Sequence, residues 1–95
     1  MKEIRLVIWT DSYGATGGWS DVENFTPQSL LVKSIGFVIY EDDKLISLSG
    51  SYAEETNNTL EQANGIITIP KCCIKHSICL SSCQGLVSAQ KQRPT

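Results

Sequence analysis

Residues 65–78, Gly65-Ile66-Ile67-Thr68-Ile69-Pro70-Lys71-Cys72-Cys73-Ile74-Lys75-His76-Ser77-Ile78, decide how this chain folds. The run after Gly65 is β-branched and suits a pleated surface, so it reads as a strand. Pro70 removes a backbone donor and stops the ladder, which requires a tight turn over residues 70–73. Alternation resumes over residues 74–80 as a further strand. The ordered part of the chain therefore ends as strand, one turn, strand.

Upstream, Leu45 to Ala53 reads as another strand, joined to residues 30–40 by Glu41-Asp42-Asp43-Lys44. That polar connector is short enough to force an antiparallel hairpin. Residues 30–40 are the most strand-like run, and Gly36 lies where a sharply bent strand needs a residue without Cβ. Residues 54–65 are almost wholly polar and end on Asn64-Gly65, a turn signal, so they read as an exposed loop. At the other end, Ile4, Leu6 and Ile8 alternate with Glu3, Arg5 and Val7, with Trp9 last, which predicts a strand with one strongly buried face. Asp11 to Gly18 then collects turn formers and three glycines, a composition for a long flexible loop. Residues 20–29 show no clean period. The reading is all-β: five short strands in one domain over residues 2–82, followed by a flexible polar tail over residues 83–95.

A chain of 95 residues has room for one small core and excludes a two-domain enzyme. Its net charge of −2 provides no general field for DNA phosphates. The charge is uneven, however. Residues 1–65 carry four basic and ten acidic side chains, and residues 66–95 carry four basic and none acidic. The apolar stretch Ile4–Trp9 is far shorter than the roughly 20 residues of a membrane span and lacks the pattern of a signal peptide. The expectation is a cytoplasmic protein without membrane contact, in which Cys72, Cys73, Cys79 and Cys83 remain reduced. His76, Cys79 and Cys83 have ligand chemistry suited to zinc, but strand alternation puts His76 with Ile74, Ile78 and Leu80 on one face and Cys73 and Cys79 on the other. No metal site and no cofactor are expected.

The strand order, bent second strand, tight second hairpin and strand–turn–strand ending resemble small SH3-like and Sm-like barrels. That resemblance implies a five-stranded barrel that assembles into a homo-oligomer through the exposed edge of the last strand. The sequence departs from the Sm-like pattern where RNA is held: the Asp-x-x-x-Asn motif after the hairpin is absent, and Pro70-Lys71 replaces Arg-Gly. No RNA site is carried over, and a nucleic-acid-binding module stays the alternative. A second resemblance rests on Trp9-x-Asp11, Gly18-Trp19, Ser34-x-Gly36-Phe37, Glu41-Asp42 and Ile69-Pro70, which look like short accessory proteins of bacteriophages and prophages. It implies a viral protein of the bacterial cytoplasm that binds a host protein or sequesters a small nucleotide, including in counter-defence. A virion assembly factor is the further alternative.

Catalysis needs convergent groups that exchange protons or attack, and the single histidine has no partner fixed by local spacing. The chain is therefore expected not to be an enzyme. The candidate contact residues are Trp9, Asp11, Tyr13 and Trp19 around the glycine-rich loop, where two indoles and a phenol can anchor a partner or stack on a purine. Trp19 is also suited to capping the open end of a small barrel. Lys71 and Lys75, in the basic end, are candidates for attracting an anion.

Overall fold

The computed structural model describes residues 2–81 as five antiparallel strands with almost no helix. β1 is Ile4–Ser12, β2 is Ser29–Glu41, β3 is Leu45–Ala53, β4 is Gln62–Pro70 and β5 is Ile74–Cys79, with a single 3-10 turn, Lys71–Cys73, between β4 and β5. They form one open sheet of order β4-β3-β2-β1-β5. The expectation for residues 83–95 lies outside the described residues. Among the described residues no helix is long and apolar enough to cross a membrane.

The two edge strands of this sheet are also consecutive in the chain. In a flat sheet β4 and β5 would stand about 19 Å apart, four strand spacings. A three-residue 3-10 turn advances only about 6 Å. The sheet therefore curls, and its concave side holds the core: Val7 and Trp9 of β1, Ile46 and Leu48 of β3 and Ile69 of β4 are buried, with Val32, Val38 and Ile74 packed against them.

β2 carries the bend. It pairs with β1 from Ser29 to Phe37 and with β3 from Phe37 to Glu41, with a register shift between Val38 and Tyr40. Gly36 sits at this crossing. A Cβ there would lie 2.6 Å from the Ser49 carbonyl oxygen and 3.2 Å from Leu48 Cβ, so the absent side chain lets β3 approach. The connector is a hairpin stitched by Asp42. Its Oδ1 accepts the amides of Lys44 and Leu45, both at 2.8 Å, and its Oδ2 accepts the Tyr40 hydroxyl at 2.7 Å.

Three sequence expectations are corrected. The face of β1 turned to the core is Val7 and Trp9, while Ile4, Leu6 and Ile8 are only half-buried on the other side. Both faces of this strand are apolar, so alternation alone cannot choose between them. Asn64-Gly65 does not turn the chain. Gly65 takes φ +70 inside β4, between the Ser49–Ile66 and Ser51–Asn64 pairs and beside Gly50, so the strand begins at Gln62. Finally, a register shift between Ile8 and Trp9 separates Ile74 from His76. Ile74 pairs with Trp9 and joins the core, whereas His76 and Ile78 pair with Ile8 and Leu6.

Gly36→Ala is expected to cost about 1–3 kcal/mol, the range for forcing an extra carbon into a packed site. Gly50→Ala, whose new carbon meets nothing within 4 Å, should stay within about 0.5 kcal/mol of the parent. Urea unfolding of the two variants beside the parent chain measures the contrast.

Candidate functional site

The candidate residues separate into a core member, a corner and a projecting loop. Trp9 is 8% exposed, and its indole Nε1 donates to Ser34 Oγ at 3.0 Å, a contact that ties β1 to β2 on the concave side. Its ring serves the core and offers no open face to a ligand. Asp11 lies two residues further along β1, near the 3-10 turn. Its Oδ1 accepts the Ser12 amide at 2.7 Å, and its charge, after the larger effects of Cys72 and burial, helps hold the Cys73 thiol pKa above the usual value.

Lys71 is committed to an ion-pair cluster. Glu41 Oε2 receives both Lys71 Nζ and Arg5 Nη1 at 2.8 Å, and Arg5 also pairs with Glu3 at 2.7 Å. The cluster links β1, the end of β2 and the 3-10 turn, so it braces the curl. Arg5, Glu41 and Lys71 line a cleft of about 330 Å³ together with Ile46, Ile74 and Ser77. Two cations and two carboxylates nearly cancel there, which leaves little net attraction for an added anion. Lys75 stands exposed on β5.

Residues 13–28 make the projecting loop. Tyr13 is 58% exposed and Phe25 53%, while Val22 and Trp19 are almost wholly in solvent at 91% and 106%. Trp19 therefore does not cap the sheet, a correction to the capping expectation. Trp9 already fills the core position nearest the loop. Tyr13, Gly14, Thr16, Phe25, Thr26, Pro27 and Gln28 line a cleft of about 340 Å³, the size of a small ligand pocket. Its lining contains two aromatic rings, a proline and neutral polar groups. Phe25 and Val22 escaped the sequence reading because residues 20–29 have no period to mark them.

The described residues contain no group of three or more His, Cys, Asp or Glu side chains able to hold a metal ion. His76 is exposed on β5, opposite Ile8. Cys72 and Cys73 are free thiols, and Cys83 lies outside the described residues. No family model matches the chain, and no curated protein or solved structure matches it either.

The cluster around Glu41 yields a pH prediction. Hydrogen bonds from Arg5 and then Lys71 hold the Glu41 pKa below the usual glutamate range. A carboxylate with a lowered folded-state pKa stabilises the fold above its unfolded value and loses that contribution as pH falls through the folded one. Glu41→Gln should cost about 1 kcal/mol or less at neutral pH, as for a partly exposed ion pair. It should also reduce the loss of stability on acidification below the glutamate range, read from thermal melts across that interval.

Proposed function

We propose that this chain is a non-enzymatic binding protein that acts stoichiometrically on a protein target, with the loop of residues 13–28 as its contact surface. The observation that carries this reading is Trp19, together with Val22, Tyr13 and Phe25, held out in solvent by a domain that buries five apolar side chains among the described residues. A chain this small uses its large side chains internally when it can. Exposed Trp and Tyr are the residues most enriched among side chains that dominate binding energy. A protein target is favoured over a nucleotide because, among the described residues, the loop cleft is lined by neutral side chains, which give phosphates no counter-charge. The likeness to short phage proteins supports a host protein as the target and the bacterial cytoplasm as the setting.

Two structural extensions belong to this reading. The sheet order, the bend in β2 and the 3-10 turn joining the edge strands support an SH3-like or Sm-like barrel. Assembly of copies is supported by the outer face of β5-β1-β2, where Ile78, Leu6 and Ile35 sit side by side in register, with Ile78 45% and Ile35 63% exposed. Contiguous apolar surface of this kind marks an interaction site.

Native mass spectrometry of the chain expressed in bacteria should show an oligomer without a bound molecule of nucleotide size. Ile35→Glu should shift it toward monomer, and a parent chain that is already monomeric overturns the assembly reading. Affinity capture from host lysate, followed by titration of the captured target, tests the loop. Trp19→Ala should weaken binding about 30-fold, the effect of a 2 kcal/mol hot spot, while leaving the unfolding midpoint nearly unchanged. Equal affinity of the variant and the parent would remove the loop from the interface.

A further inference from the structure

We propose that Cys72 and Cys73 form a two-sulfur chelating site for a thiophilic centre of the trivalent organoarsenic kind, independent of the contact loop. The two Sγ atoms lie 4.0 Å apart on the 3-10 turn, and both thiols are free. A pyramidal arsenic(III) centre making two bonds of about 2.3 Å to sulfur at roughly 95–100° spans about 3.4–3.5 Å between the sulfurs, a distance that small side-chain rotations reach from 4.0 Å. The turn thus presents the pair at close to the required separation.

The turn is also held in place. Its first amide, Lys71 N–H, donates to the Lys44 carbonyl at 2.8 Å, and the amide of Ile74 donates back to the Lys71 carbonyl. On either side, Ile69 pairs with Ile46 and Ile74 pairs with Trp9, so the backbone enters and leaves through the core. A pair held in this way gives up little conformational freedom on chelation, which favours binding. Cys72 is exposed and Cys73 half-buried, so the sulfurs are open to an entering reagent. Among the described residues no third metal-ligating side chain joins the two. That fails zinc's usual need for three or four protein ligands and suits a centre satisfied by two sulfurs.

The reaction balances without an oxidant. An arsenic(III) oxide R–As=O takes up both thiols, two S–H bonds break, two As–S bonds form, and the oxygen leaves with both protons as water. Arsenic and sulfur keep their oxidation states.

The probe is phenylarsine oxide, added to the intact chain in the presence of excess monothiol and followed by intact-mass spectrometry. One equivalent should be retained with loss of one water, and a small dithiol should strip it. Cys72→Ser and Cys73→Ser should each lower retention at least tenfold, and Cys79→Ser should leave it unchanged. Failure of the parent chain to retain the probe overturns the proposal. So does retention within tenfold of the parent by either single variant at position 72 or 73, or loss in Cys79→Ser. Far-UV circular dichroism of each variant separates loss of the site from loss of the fold.

Discussion

The whole arrangement depends on a short tether. Only Lys71, Cys72 and Cys73 separate the two strands at the extremes of the sheet, so the sheet must curl until its ends come within reach of one turn. Curling creates the concave side on which Val7, Trp9, Ile46, Leu48 and Ile69 meet, although they belong to strands that are not all neighbours. The bend is then located in β2 by the one residue that allows it, Gly36, against the Ser49 carbonyl. The ion pairs of Glu41 with Arg5 and Lys71 fasten the tether to the bent strand. Their electrostatic worth is small in water, but they connect three separate segments, β1, the end of β2 and the 3-10 turn.

A second set of contacts holds the opposite region. Lys2 lies 5.4 Å from the centre of the Tyr52 ring and pairs with Glu61 at 3.4 Å, while Phe37 meets Tyr52 with ring centres 5.8 Å apart. The Tyr52 hydroxyl donates to Glu61, and that carboxylate pushes the phenol pKa up to about 12. The start of the chain, the end of β3 and the approach to β4 are joined by these groups. The long loop of residues 13–28 leaves from the other end of the β1–β2 pair, past Ser12 and Ser29, and its large side chains face solvent.

What the sequence made legible was whatever local chemistry alone determines. The hairpin between β2 and β3 followed from the length and polarity of Glu41–Lys44, and the turn before β5 followed from Pro70. Gly36 was legible because a glycine within an otherwise bulky strand has few other uses. The core face of β1 was not legible, since Ile4, Leu6 and Ile8 compete with Val7 and Trp9, and the winner is set by which side the curl makes concave. Asn64-Gly65 misled for a related reason: a left-handed glycine suits a turn, yet here Gly50 on the facing strand leaves room for it within a ladder. Of the candidate site, Tyr13 lies exposed in the loop, Trp9 went to the core and Trp19 to solvent. Alternation distinguishes the two faces of a strand and is silent about a loop.

The hydrogen bond from the Ile4 amide to Ser81 Oγ joins residues 77 positions apart, and this separation bears on the order in which the chain assembles. The β2-β3-β4 meander closes through short connections, so its pairings demand little loop-closure entropy. Bringing β5 beside β1 closes nearly the whole domain, and the logarithmic growth of that entropy adds about 2 kcal/mol over a ten-residue loop. Contacts of such long range slow folding. The meander is thus the natural first unit, and the β1–β5 ladder is a late seam whose two strands wait on everything between them.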